Sequence, residues 1–241
     1  MFGRRWLEMT WRDGLFVHWA VDPELVEPTL PDGLSVDTHE GNAYLGVVPF
    51  VMDDIRPRGV PVGLSFPELN LRTYVEGPNG PGVYFYSLDA DDPVGVTVAR
   101  RLFALPYYRA RMDVRRESVA GDRSEGAPAD GTRVHFRSRR VHGGAPPAPF
   151  DATYEPTEET GWTPEAGSLP AFLVENYRFY AMGGRLYCGA IEHEPWTLRG
   201  GRVTLRRNGL FEANGFERPD DDPLVHYADP IDVTADRIRP V

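Results

Sequence analysis

The sequence predicts a mainly β fold (α+β) with a few helices, built as one domain over residues 1–241. Three observations predict it. Its 25 glycines and 23 prolines are spread as punctuation between short apolar or alternating runs, the pattern of strands joined by turns. Only three segments carry helix start signals. A chain of 241 residues is long for an average domain, yet β-rich barrels reach this length around one core.

In chain order, Asp22–Pro23 is an N-cap followed by proline at the first helical position, and it opens a short helix toward Leu30. Strands are predicted over Leu34–Asp37 and Ala43–Met52, on either side of the Glu40–Gly41 turn, then over Leu64–Val75 and Val83–Leu88. Asp92–Pro93 repeats the capping device and opens a second helix over Val94–Leu105. Strand-like Arg109–Arg115 and Arg133–Arg139 flank Glu117–Gly131, whose Gly, Ala, Ser, Asp and Glu content predicts a long hairpin loop. Ser168 caps a third helix predicted over Leu169–Met182. Leu169, Phe172, Leu173, Tyr177 and Tyr180 share one face of it, with Gly183 as the stop. Strands return at Arg185–Glu194 and Arg202–Leu205.

Charge narrows the partners. The formal net charge is −10, and all 26 basic residues are arginine, so the chain contains no lysine. An acidic surface repels nucleic acid and anionic membrane, and neither is expected as a partner. Acid excess with arginine in place of lysine fits a high-salt cytoplasm or a GC-rich genome, and both readings stay open. No stretch approaches the ~20 apolar residues that cross a bilayer, and Met1–Thr10 has no apolar core of a signal peptide. A cytoplasmic location is the expectation. The single cysteine, Cys188, sits in the apolar run Leu186–Ile191 and reads as a structural thiol.

Leu64–Val75 carries the most chemical information. Side chains alternate along a strand, so Phe66, Glu68, Asn70, Arg72 and Tyr74 share one face, and Pro67, Leu69, Leu71, Thr73 and Val75 share the other. The second is a core face. The first sets an acid, an amide and a guanidinium between two aromatics. Two readings fit: a polar face in water, or the lining of a barrel lumen where a sheltered carboxyl moves protons.

Several motifs resemble a known family along the whole chain. They include Val17–His18–Trp19, Pro49–Phe50, Phe66–Pro67–Glu68–Leu69–Asn70–Leu71–Arg72–Thr73–Tyr74–Val75 and Gly82–Val83–Tyr84–Phe85. The series continues with Ser87–Leu88–Asp89–Ala90, Leu105–Pro106–Tyr107–Tyr108, Glu175–Asn176–Tyr177–Arg178 and His193–Glu194–Pro195–Trp196. In these the chain resembles the YqjF-like (DUF2071) family, a branch similar to the acetoacetate decarboxylase-like superfamily. The resemblance implies a β-barrel flanked by a few helices. It also aligns Phe66–Pro67–Glu68 with the strand carrying the decarboxylase's active-site glutamate.

The decarboxylase's Pro-Lys-Lys, which supplies the Schiff-base lysine and its neighbour, stands here as Pro106–Tyr107–Tyr108. Its Tyr-Arg-Thr-Asp stands as Trp19–Ala20–Val21–Asp22. Arginine stays protonated and cannot replace the imine-forming lysine, so Schiff-base decarboxylation through a side chain is excluded.

The expected function is that of a small-molecule enzyme without covalent catalysis: an isomerase, hydratase or cyclase acting on a carbonyl compound. Glu68 is the expected acid/base, Tyr107 and Tyr108 are expected donors, and Asn70 and Arg72 are expected to orient the ligand. His18 and His193 lie in family motifs and join the substrate-contacting candidates. His18, on the face of Phe16 and Ala20, reads first as a core or rim histidine satisfied by a backbone group. No metal-binding spacing is present and no cofactor is expected. The alternatives are a non-catalytic ligand-binding protein of the same fold, or a barrel filled with its own side chains. Self-association is left open.

Overall fold

The structure, a computed structural model, describes residues 6–93, 95–96, 103–118 and 132–241. Its strands hydrogen-bond into one continuous sheet that closes on itself twice.

The first ring comprises β1 (Leu7–Arg12), β4 (Ala43–Pro57), β5 (Leu64–Gly77), β6 (Gly80–Ala90), β10 (Arg178–Met182), β11 (Leu186–Glu192) and β14 (Ile231–Ala235). Neighbours pair antiparallel, except that β6 and β10 run parallel. The second ring leaves β6 through β7 (Tyr107–Ser118), β8 (Thr132–Arg140) and β9 (Pro149–Pro156). It returns to β4 through β12 (Leu198–Asn208), β13 (Leu224–Ala228) and β2 (Gly14–Val21). Strands β4, β5 and β6 are common to both. The short β3 (Ser35–Val36) edges β5, and β15 (Arg239–Pro240) edges β11.

The shared wall explains the sequence pattern of β4. From Ala43 to Phe50 every residue is buried, because each face meets a core. Tyr44, Val48, Phe50 and Met52 pack into the first ring, whereas Ala43, Leu45 and Val47 pack into the second. β5 divides in the same way. Phe66 and Tyr74 belong to the first core, and Leu69 and Leu71 to the second.

Among the described residues, helices are few and short. α1 (Pro23–Val26) starts at Asp22, whose carboxylate accepts the Glu24 amide at 2.9 Å, and it runs into a 3₁₀ turn at Glu27–Thr29. α2 (Leu169–Val174) starts at Ser168 as expected but ends eight residues before Met182. The expected continuation is β10, which alternates Phe179 into the first core and Tyr180 into a separate cluster with Leu34 and Val75. The helical spacing of Tyr177 and Tyr180 loses to sheet pairing, since β10 gains hydrogen-bonded neighbours on both edges. α3 (Leu210–Ala213) packs Leu210 and Phe211 into the second core. Most of the expected Val94–Leu105 helix and of the Glu117–Gly131 loop lies outside the described residues. Among the described residues, no helix is long and apolar enough to cross a membrane.

Candidate functional site

The first ring lines an open-ended cavity of about 590 Å³. The polar face of β5 forms part of its wall: Phe66, Glu68, Asn70 and Arg72 all line it. None of the three polar side chains reaches bulk water, with residue exposures of 2%, 3% and 9%. The water-facing reading of this strand is therefore excluded.

Glu68 is the chemical centre of this wall. The Tyr107 hydroxyl donates to its Oε2 at 2.6 Å. Burial raises the Glu68 carboxyl from its ordinary 4.5 to about 7; hydrogen bonds from Tyr107 and Asn70 oppose the rise, and the Asp89 charge adds to it. Tyr107 itself is pushed well above the ordinary phenol range by burial and by the Glu68 charge. The pair thus holds a carboxyl that changes charge near neutrality, beside a phenol that stays protonated.

A bulge in β6 keeps Asp89 off the cavity wall. Leu71 pairs with Ser87 and Arg72 with Phe85, so Tyr86 is an extra residue that shifts the phase of the strand. Val83, Phe85 and Leu88 line the cavity, while Asp89 is sent to the opposite side. There Arg140 grips both Asp89 oxygens at 2.7 and 3.1 Å, with side-chain exposures of 1% and 0%. Tyr108 goes the same way. Its register partner is Asp89, its ring lies under the Arg140 guanidinium at 4.0 Å, and it meets His142 edge-on. The expectation of Tyr108 as a second donor is corrected, because successive strand residues face opposite sides.

Arg72 is held by a buried network. Its Nη2 donates to the Leu173 carbonyl at 3.0 Å, near the end of α2, and lies 3.4 Å from the Tyr74 hydroxyl. The Tyr74 hydroxyl donates to the same carbonyl at 2.7 Å and sits 2.6 Å from His18 Nε2. With the phenol proton spent on Leu173, His18 is the Nε2–H tautomer. Burial and the Arg72 charge lower its pKa well below the ordinary value, so it is neutral. His18 is fully buried behind this network and does not line the cavity, which corrects its assignment as a substrate contact. Its hydrogen-bonded link to Arg72 runs through the Tyr74 hydroxyl.

Gly46 makes this arrangement sterically feasible. It pairs with His18 on one side and Arg72 on the other, and an added Cβ would sit 2.8 Å from the His18 ring. Gly46→Ala is expected to destabilise the fold by about 1–3 kcal/mol through overpacking, measured by urea unfolding. Unchanged stability would show that the ring moves freely.

His193 does reach the cavity wall. It stacks on Tyr177 at 4.6 Å and tilts against Trp196 at 5.2 Å, and burial lowers its pKa. Glu175 ties this rim together, accepting the Trp196 amide at 2.8 Å and the Tyr177 hydroxyl at 2.5 Å. The alternation of β5 puts Tyr74 on the functional face without marking its role, and the sequence does not mark the Asp89–Arg140 pair. The i+2 spacing of Tyr74 from Arg72 was the available signal for the first. The second joins β6 to β8 across 51 residues and left none. Among the described residues, no cluster of three or more His, Cys, Asp or Glu side chains is placed to hold a metal.

This architecture is the acetoacetate decarboxylase-like fold. The chain superposes on an acetoacetate decarboxylase-like enzyme from Sphingomonas wittichii RW1 with a TM-score of 0.63 at 15% identity, covering 99% of this chain and 94% of that one. It superposes on the enduracididine biosynthesis enzyme MppR, complexed with the condensation product of pyruvate and imidazole 4-carboxaldehyde. That match has a TM-score of 0.66 at 16% identity, over 97% and 88% of the two chains. For the acetoacetate decarboxylase of Legionella pneumophila the TM-score is 0.62 at 13% identity, over 100% and 88%.

Within that fold the chain belongs to the DUF2071 family of uncharacterized conserved proteins, whose match spans residues 8–232. It is 38% identical to the uncharacterized protein YqjF of Bacillus subtilis (strain 168) over 231 residues, covering 94% of this chain and 89% of that protein.

Proposed function

We propose that the chain is a small-molecule enzyme that moves a proton next to a carbonyl group, with Glu68 as acid/base and no covalent intermediate. The observation that supports this reading is the buried Glu68–Tyr107 pair, with its carboxyl raised to about 7. A base titrating near the working pH is half available and still strong enough to take a proton. Ionised Glu68 holds the Tyr107 proton. Once Glu68 takes a proton from carbon, its hold on the phenol weakens, and the Tyr107 hydroxyl turns to the oxygen on which negative charge develops. Asn70 and Arg72 line the cavity on the same strand as Glu68, and they orient the ligand. Arg72 lies roughly 13 Å along the strand from Glu68, at about 3.3 Å per residue. A polar group on the ligand is therefore held well away from the reacting carbon. Isomerisation, hydration and cyclisation all fit this placement.

The neighbour MppR is complexed with a product built from pyruvate, which makes carbonyl compounds the first class to try. The experiment is deuterium exchange at the α-carbon of ketones and oxo acids in heavy water, followed by NMR. Exchange by the wild-type chain that is lost in Glu68→Gln supports the reading, whereas exchange retained in Glu68→Gln removes Glu68 from the mechanism. Saturable binding with no exchange at all would favour a ligand-binding protein.

A further inference from the structure

The cavity is far larger than its polar wall needs. Its volume of about 590 Å³ lies within the ~300–1,000 Å³ that hold drug-sized ligands. The same space equals the liquid volume of roughly 20 waters at ~30 Å³ each. Water needs polar partners, and most of the wall offers none. Met9 and Trp11 line it from β1, Val48 and Phe50 from β4, Phe179 from β10 and Ile191 from β11. A four-carbon oxo acid seated at Glu68 would leave most of these side chains facing empty space.

The exposed lining at one end of the cavity carries apolar side chains beside Arg56. Val62 and Leu64, at the β4–β5 hairpin, line the cavity yet are 76% and 42% exposed, and Val60 on the same turn is 42% exposed. The hairpin is fixed rather than loose: Gly63 N donates to Asp54 Oδ1 at 3.0 Å, and Asp54 N to Ser65 Oγ at 3.0 Å. Apolar side chains held in water beside an apolar cavity mark a path for an apolar ligand.

We infer that the ligand of this site is a carbonyl compound with a bulky apolar body, on the order of ten heavy atoms or more. Its carbonyl lies beside the Glu68–Tyr107 pair, and its body runs along the aromatic wall toward Val62 and Leu64. The inference rests on the Glu68 site of the preceding section and names the ligand class for it.

The test is calorimetric titration of the full chain with methyl ketones, from butanone to the twelve-carbon homologue. Affinity is expected to rise about fourfold per methylene, the factor set by ~0.8 kcal/mol for each buried CH₂. Affinity that does not rise with length overturns the inference. Val62→Asp, at an exposed position, is expected to weaken the twelve-carbon ketone at least tenfold; equal affinity overturns the path through the hairpin. The Glu68→Gln variant separates this inference from the proposed chemistry, because the per-methylene factor should persist there while exchange is lost. A persistent factor with no exchange by the wild-type chain supports the ligand class and removes the chemistry. A flat series with exchange intact overturns the ligand class and leaves the chemistry standing.

Discussion

Glu68→Gln is expected to lower α-proton exchange by about 10²–10⁴-fold while making the folded chain more stable above pH 7 by about 3 kcal/mol. The two effects have one cause. Folding raises the carboxyl from 4.5 to about 7, and each unit is worth ~1.36 kcal/mol. Between these values the folded chain binds the proton that the unfolded chain has released, so unfolding free energy falls as pH rises through this window. Stability from this group is complete below pH 4.5 and lost by pH 7. Glutamine is neutral throughout and still accepts the Tyr107 proton, so the variant keeps at pH 8 what the wild-type chain holds only in acid. Urea unfolding from pH 4 to pH 8 measures the difference. Parallel pH profiles for the two proteins would mean that Glu68 is not sheltered.

Arg140→Met is expected to have the largest destabilising effect, about 3–5 kcal/mol at pH 7. It removes the bidentate partner of a fully buried carboxylate and leaves that charge uncompensated. Burial already raises Asp89, and Arg140 is what opposes the rise. Without the guanidinium Asp89 takes up a proton more readily, so the loss should shrink as pH falls. The double variant Asp89→Leu, Arg140→Met should recover most of the stability, because a packed apolar pair can replace a buried ion pair at little cost. A single variant as stable as the wild type, measured by denaturant unfolding, would refute this account of the pair.

The polar face of β5 was legible because a strand has a period of two, and its alternation survives in the structure from Phe66 to Tyr74. So was the consequence of having no lysine, which needs no coordinates. What sequence could not decide was whether that face met water, since a polar row fits a solvated face as well as a lumen. The closure of two rings on a shared wall settles it, and no local pattern encodes ring closure. Tyr107 and Tyr108 look alike as a pair, and only the phase of β7 separates the cavity phenol from the one that packs under Arg140. The bulge at Tyr86 is equally invisible, because one extra residue changes no composition, yet it turns Asp89 away from the cavity. The helix expected to reach Met182 failed for a non-local reason: the edges of β6 and β11 needed a partner more than Tyr180 needed its helical neighbours.

The most direct test is an NMR titration of the Glu68 side-chain carboxyl carbon, assigned by its disappearance in Glu68→Gln. A midpoint near pH 7 is predicted, moving higher in Tyr107→Phe, where the donor that favours the carboxylate is gone. A midpoint near the ordinary 4.5, unmoved by Tyr107→Phe, would contradict the sheltered acid on which the proposed chemistry depends.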